Sequence, residues 1–312
     1  MSFFQAFFPK CNANEENDFA IAIIGYNRPD YLEEVLESLA ANPESSTTPI
    51  YFFFDGGPES KQKENIALAR KYAFPLAKII SRTTNFGCPK NIIDARRVLF
   101  DKLKYKKVLV IEDDNVISSN YIRFILNFYE WSQLNMSGVG AVCGWNQLLL
   151  NKYEKNENLQ NVIQNSMWNY WGYLMSFECW EKIKGIYYEY EALFLGDGGR
   201  SHYINAEKIR SWLRRRVLTH ANYGDPYSES FLIPGLPTGQ DAVMRIGLWE
   251  NDLDCACSYV NRLINIGKVG INYSEEVWEK RLKDFVLDVF PEDNDLIEFR
   301  VVSDPTRPTT FH

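Results

Sequence analysis

The first 145 residues alternate between short apolar runs and amphipathic stretches. Phe19 to Ile24 is a continuous apolar run, ended by Gly25-Tyr26-Asn27. Pro29 to Ala41 predicts a helix with proline in its first turn. Ile50 to Phe54 predicts a second buried strand, ended by Asp55-Gly56-Gly57-Pro58. Ser60 to Tyr72 has helical spacing. Leu76 to Ser81 predicts a third strand, followed by Asn85-Phe86-Gly87, and a helix runs from Cys88 or Pro89 to Leu103. Val108 to Ile111 is a fourth strand, Tyr121 to Leu134 a further helix and Val139 to Cys143 a further strand. Apolar strands without alternation, separated by helices, predict an α/β, Rossmann-like fold. Its central sheet is mainly parallel and covered on both faces.

Beyond residue 145 the pattern weakens. Asn151 to Asn165 is polar and reads as a loop or hairpin. Ser166 to Ile186 is rich in aromatic residues. Residues 187 to 236 read as irregular, apart from a helical stretch around Ala206 to Val217. Asp241 to Glu250 predicts a helix, Val260 to Gly270 a strand, and Glu275 to Val289 a helix. No linker forces a boundary. We expect one domain with a ligand-binding half over 19–145, an irregular half over 146–290 and a tail over 291–312.

At 312 residues the chain can bury one large core. Its 18 tyrosines and 8 tryptophans exceed what a core needs, and such rings also stack on sugars or bases. The net charge of −7 argues against non-specific nucleic-acid binding. Arg214-Arg215-Arg216 is a local exception, either solvated or a clamp for a diphosphate. Six scattered cysteines form no CxxC pair, and no Cys/His metal spacing appears. The N-terminus lacks the pattern of a secretory signal, and no apolar run reaches membrane-spanning length. A cytoplasmic protein with free thiols is the expectation. Phe3, Phe4, Phe7 and Phe8 could contact a membrane or partner, or pack on their own domain.

The main chemical signal is Glu112-Asp113-Asp114, which ends the run Val108 to Ile111. Carboxylates at the end of a buried strand need a cation or hydrogen-bond donors. A divalent metal with a bound diphosphate supplies such a cation, and an acidic loop capping the next helix is the alternative. Asn27, Asp55 and Asn85 also follow strands, and ligands bind at the carboxyl ends of strands in open α/β sheets.

Four stretches carry a family resemblance: 22–39 (AIIGYNRPDYLEEVLESL), 51–60 (YFFFDGGPES), 83–92 (TTNFGCPKNI) and 108–124 (VLVIEDDNVISSNYIRF). In order and spacing they resemble inverting GT-A-fold glycosyltransferases of the family-two type, such as HlpA-like sugar transferases. A more distant likeness is to N-acetylglucosaminyltransferase I. Weaker matches lie at 167–183 and 260–272. The resemblance implies a nucleotide-sugar donor, with UDP as the family-level guess, and a hydroxyl acceptor on a glycan. It implies that Asp114 binds Mn²⁺ or Mg²⁺, while Glu112 and Asp113 contact ribose or metal-bound water. Asp55 would read base or ribose, with Asn85 and Lys90 nearby, and Tyr26 and Arg28 would line the donor pocket. Relatives often carry a metal-completing histidine after the turn that reads Asn265-Ile266-Gly267-Lys268-Val269-Gly270 here, and this chain has none. Asn272 as a weak ligand, or Lys268 as a phosphate partner, are the available substitutes. His202 and His220 read as surface or structural residues.

Inverting transfer needs a base on the acceptor hydroxyl. Asp241, in Gly239-Gln240-Asp241 at a helix start, fits the expected order, although negative charge is favourable there in any case. Asp197 is the main rival, followed by Asp225 and Glu178. Trp145, Trp168, Trp171 and Tyr173 are candidates for an acceptor face, with core packing the alternative. Two other functions stay open. A sugar nucleotidyltransferase would begin with a glycine-rich loop, where this chain has only Gly25. A non-catalytic nucleotide-sugar or carbohydrate-binding protein of the same fold would tolerate the missing histidine.

Overall fold

The computed structural model describes residues 17–146, 154, 156, 159–165, 170–196, 198–219, 238–269, 274–281 and 299–302. It is a mixed α/β fold built on a nine-stranded sheet. Strands β1 (Phe19–Gly25), β2 (Ile50–Phe54), β3 (Ala77–Ser81) and β4 (Lys107–Glu112) lie parallel, in the order β4-β1-β2-β3. All five residues of β2 are buried, as a run of Ile, Tyr and Phe between two covered faces requires. The α1 helix (Pro29–Ala40) buries Leu32, Val35, Leu36 and Leu39, the i, i+3, i+4, i+7 stripe of a core-facing helix.

After β4 comes β5 (Asn115–Ile117), which leaves the main sheet. The second half then extends the sheet through β6 (Val139–Cys143), β7 (Asn161–Asn165), β8 (Tyr173–Ser176) and β9 (Asp254–Ser258). β8 is antiparallel to both β4 and β6, so β6 runs parallel to β4, and β9 is parallel to β6. β10 (Leu263–Asn265) returns to pair antiparallel with β5, and β11 (Arg300–Val301) edges the main sheet beside β7.

The helix over Phe177–Phe194 continues eight residues past Ile186, into the region expected to be irregular. Its start is fixed by Ser176, whose hydroxyl accepts the Cys179 N–H at 3.2 Å. A four-residue turn at Ser201–Ile204 and a helix over Ala206–Thr219 follow. The expected loop or hairpin ends in β7, and the strand expected over Val260 to Gly270 contracts to β10. β9 is additional: Asp-Cys-Ala-Cys-Ser has little β-propensity, and burial between β6 and β7 is what holds it extended.

One consequence of this topology places the chemistry. The helix over Gln240–Trp249 enters β9 through a short turn at 250–253, so it runs back against that strand. Its first residues therefore stand at the edge where β1, β2 and β4 end.

Candidate active site

The strand registers set those ends side by side. Gly25 lies opposite Phe54, Phe54 opposite Ser81, and Ile24 opposite Glu112. Tyr26, Asp55 and Asp113, each one residue further on, leave the sheet along this shared edge.

Asp113 and Asp114 share one guanidinium. Arg28 bonds Asp113 through Nη2, and its Nη1 lies 2.7 Å from Asp114 Oδ2. Asp113 also accepts the Tyr26 N–H at 3.1 Å. Asp114 Oδ1 accepts from Asn265 Nδ2 at 2.8 Å and Asn115 Nδ2 at 3.1 Å. The antiparallel β5–β10 ribbon makes this possible, because it pairs Asn115 with Asn265 directly. Burial pushes the Asp114 carboxyl upward; Arg28 opposes that shift, and Asp113 adds to it. Burial also works against the Arg28 charge, but the two aspartates outweigh it and hold the guanidinium proton more firmly than usual.

Glu112 sits differently. Its Oε2 has the Cys88 thiol at 3.8 Å. Burial raises its pKa well above the carboxylate range, and Asp114, Asp241 and Asp113 raise it further. Cys88, though exposed at the surface, is shifted upward, first by the loss of water around its sulfur and then by the same acids, Glu112 and Asp241 first. The Asp241 carboxylate thus acts on both Glu112 and Cys88.

Asp241 lies in the first turn of the helix over Gln240–Trp249 and is half-buried. It accepts from Gln240 Nε2. Behind Gln240 stands Arg96, a fully buried arginine that donates to Tyr173 Oη from Nε at 2.8 Å and to Gln240 Oε1 from Nη2 at 3.2 Å. Burial raises the Asp241 pKa to about 7, against the opposing pull of Arg96 and Gln240. A carboxyl with that pKa exchanges a proton near neutral pH.

Asp55 is only 3% exposed, and three backbone N–H groups occupy its oxygens: Gly56 and Phe86 on Oδ1, Gly87 on Oδ2. Its carboxylate thus builds the 85–87 turn. Asn85 Nδ2 then donates to Tyr26 Oη at 2.9 Å. Gly87 has φ +76°, and an added Cβ would lie 2.5 Å from Gly199 O, so this turn packs directly on the 198–200 segment. Lys90 reaches the carbonyl of Gly196 at 3.5 Å and lies over the Phe86 ring.

The structure brings Tyr26, Arg28, Asp55, Asn85, Glu112, Asp113, Asp114 and Asp241 to one edge of the sheet. Among the described residues, three of the acceptor-face candidates are packed inside instead. Tyr173 is a core residue with its hydroxyl on Arg96, and Trp145 and Trp171 are buried with ring centroids 4.7 Å apart. Aromatic content signals packing and binding alike, and here packing accounts for these three. Glu178 belongs to a separate cleft at the opposite end of the sheet, with Tyr129, Gln133 and Lys182. Arg216 is engaged by Glu250 and Glu189. His202 is buried against Tyr203, and burial lowers its pKa to about 4, as suits a structural histidine. Asp197, Trp168, His220, Asp225 and Asn272 lie outside the described residues.

Sequence reasoning gave no site role to Asn115, Asn265, Cys88, Gln240 or Arg96. The Asn-Ile-Gly turn was a signal for Asn265, since it stands where a metal-completing histidine was sought. Arg96 gave none, because a buried arginine in a helix reads as a surface residue. Cys143, Cys255 and Cys257 gather their sulfurs within 4.8 Å of one another in the sheet core, where fully buried thiols pack as small apolar groups. No helix among the described residues is long and apolar enough to cross a membrane.

No protein-family model and no curated protein matches the chain. Among solved structures it is similar to S. aureus TarS residues 1–349 in complex with UDP-GlcNAc, at 15% identity and TM-score 0.39. That overlap covers 53% of this chain and 46% of TarS, so the chain spans under half of that relative. Mouse xyloside xylosyltransferase 1 overlaps at 13% identity and TM-score 0.40, covering 76% of this chain and 83% of that one. A cytidylyltransferase from Leptospira borgpetersenii overlaps at 12% identity and TM-score 0.35, covering 56% and 68%. Overlaps this partial assign no reaction to the chain.

Proposed function

We propose that this protein is a glycosyltransferase that moves a sugar from a nucleotide-sugar, with UDP the favoured nucleotide, to a hydroxyl acceptor with inversion. The observation that carries the reading is Asp241: a carboxyl with a pKa near 7 stands at the same sheet edge as Glu112, whose own pKa it raises, and the guanidinium-bound Asp113 and Asp114. A base and a site for an anionic leaving group thus stand together where open α/β sheets bind ligands.

A divalent cation fits the residues present. Carboxylate and amide oxygens suit Mn²⁺ or Mg²⁺. The absent Cβ at Gly267 lets the turn backbone lie close over Asp114, since a Cβ there would stand 2.5 Å from Asp114 Oδ2, and Arg28 Nη1 holds the neighbouring flank. Asp114 is the residue to hold the metal, with Glu112 and Asp113 meeting the ribose or metal-bound water. When bound, the metal would offset charge on the departing nucleoside diphosphate.

This chain's own residues supply the rest. Tyr26 and Asn85 wall the nucleoside side of the site, on a turn shaped by Asp55. Arg28 and Lys90 bring positive charge to the diphosphate. Ionised Asp241 takes the proton of the acceptor hydroxyl as its oxygen attacks the anomeric carbon. The bond from that carbon to the diphosphate oxygen breaks with its electron pair on the leaving group, and the configuration inverts.

The test is a thermal-shift screen of UDP-, GDP- and dTDP-sugars with and without Mn²⁺, followed by product analysis. A ligand that binds only the native state raises its stability. One donor should stabilise the protein in a metal-dependent way and yield an inverted product. Release of pyrophosphate from a nucleoside triphosphate would replace this reading with a nucleotidyltransferase. Binding without any transfer or hydrolysis would leave a binding protein.

A further inference from the structure

Asp114 has little unused capacity. Its Oδ1 accepts two amide N–H groups, and its Oδ2 faces the Arg28 guanidinium at 2.7 Å. A divalent cation approaching this carboxylate must displace one of those partners. The two amides are fixed. Asn115 is fully buried, and Asn265 is held by the β5–β10 pairing and by the Gly267 N–H, which its Oδ1 accepts at 3.0 Å. Arg28 is the movable one: its side chain is 27% exposed, and it reaches inward from the residue just before α1. The space beside Asp114 Oδ2 that lacks a Cβ at Gly267 is also the space Arg28 Nη1 enters, 3.2 Å from where that Cβ would stand.

We propose that Arg28 occupies the cation position at Asp114 and vacates it when a nucleoside diphosphate offers its guanidinium another anion, so that nucleotide binding gates metal binding. This rests on the donor-and-metal reading above and concerns how that site is controlled. Without nucleotide, withdrawing Arg28 leaves two buried carboxylates without their cation, which is strongly unfavourable. With a diphosphate present, the guanidinium exchanges carboxylate for phosphate, both of which it bonds in the same forked geometry. Asp114 is then free for the metal. The coupling is reciprocal, so the metal must tighten nucleotide binding by the same factor.

The experiment is Mn²⁺ titration by electron paramagnetic resonance, with and without UDP, taking Mn²⁺ and UDP in protein-free buffer as baseline. Wild-type protein should bind Mn²⁺ weakly alone and about 5–150-fold more tightly with UDP, the usual range of coupling between sites. Arg28→Gln should bind Mn²⁺ without UDP at least about fivefold more tightly than wild type, the lower end of that range. Arg28→Lys keeps the charge but not the fork, so it should fall between the two and serves if the Gln variant misfolds. Lys268→Gln removes an exposed charge near the same turn and controls for a simple field effect. The gate is overturned if both Arg28 variants bind Mn²⁺ without UDP as wild type does, or if Lys268→Gln matches their gain. Wild type that binds no Mn²⁺ even with UDP would overturn the donor-and-metal reading itself, and the gate with it.

Discussion

The carboxamide of Asn265 donates to the carboxylate of Asp114 at 2.8 Å across 151 residues of sequence. This one bond ties β10 to the end of the fourth strand. Asn265 also accepts the Gly267 N–H, so it orders the turn that covers the acidic pair. Asn265→Ala should therefore weaken nucleotide-dependent Mn²⁺ binding by about 10-fold or more, since a hydrogen bond to a charged group contributes roughly 1.5–3 kcal/mol. Calorimetry with UDP and Mn²⁺ measures this, and denaturant unfolding should show a loss of similar size. Unchanged affinity would mean that Asp114 needs no orienting partner.

Asp114→Ala should abolish metal-dependent UDP binding while the fold survives. Arg28 keeps Asp113 as a partner in that variant, so no buried guanidinium is stranded. Calorimetry of UDP with Mn²⁺ reads the loss, and the melting temperature without ligand reads the fold. Wild-type UDP binding in Asp114→Ala would remove Asp114 as the metal residue.

Gly267→Ala tests the room beside Asp114. The new methyl group would lie 2.5 Å from Asp114 Oδ2 and 3.2 Å from Arg28 Nη1, too close for either to stay. Mn²⁺ binding in the presence of UDP should fall at least about tenfold, equivalent to about 1.4 kcal/mol. A variant that binds Mn²⁺ normally would show that the metal uses another flank of the carboxylate.

Much of this edge was legible in the sequence because its signals are local. β1 to β4 are runs of apolar residues long enough to read, and each ends in a polar turn that marks the ligand side. The Asp113–Arg28 pairing was not legible, since it depends on β1 and β4 being neighbours in register. β8 and β9 were missed because four and five residues carry no periodicity, and β9 is made of Asp, Cys, Ala and Ser. Asp241 drew attention in the sequence by its place at a helix start. Its raised pKa could not be, because burial and the Arg96–Gln240 arrangement are tertiary. The burial of Trp145, Trp171 and Tyr173 was hidden for a related reason: an aromatic residue that packs and one that stacks on sugar look alike in sequence.

Asp241 should also set a pH dependence of stability. Its pKa is about 7 in the folded chain against 3.8 for the ordinary group, so the native state keeps a proton that the unfolded state releases. Stability must therefore fall as pH rises from about 4 to about 7 and level off above. Asp241→Asn mimics the protonated form and removes that decline. The variant should match wild type near pH 4 and exceed it at pH 8 by on the order of 1–4 kcal/mol, the larger value being the unscreened limit for three pKa units. Urea unfolding across this range gives the answer, and parallel curves for the two proteins would place the raised pKa elsewhere.

The same group should govern turnover in the opposite sense. A base acts only when ionised, so kcat/KM should rise with pH and flatten above the Asp241 pKa, near 7 in the free enzyme. Its contact with the acceptor proton develops in the transition state, so Asp241→Asn should lower kcat by about 10²–10⁴ and leave donor affinity nearly unchanged. Donor binding by calorimetry and turnover by product release separate the two effects. Gln240→Leu makes a sharper probe, because it removes the donor that favours ionised Asp241 and keeps the carboxyl itself. The acid limb should then move to higher pH, with near-normal kcat once the limb is passed. A limb that stays in place in Gln240→Leu, or full activity in Asp241→Asn, would transfer the role of base to another carboxylate, with Asp197 next in line.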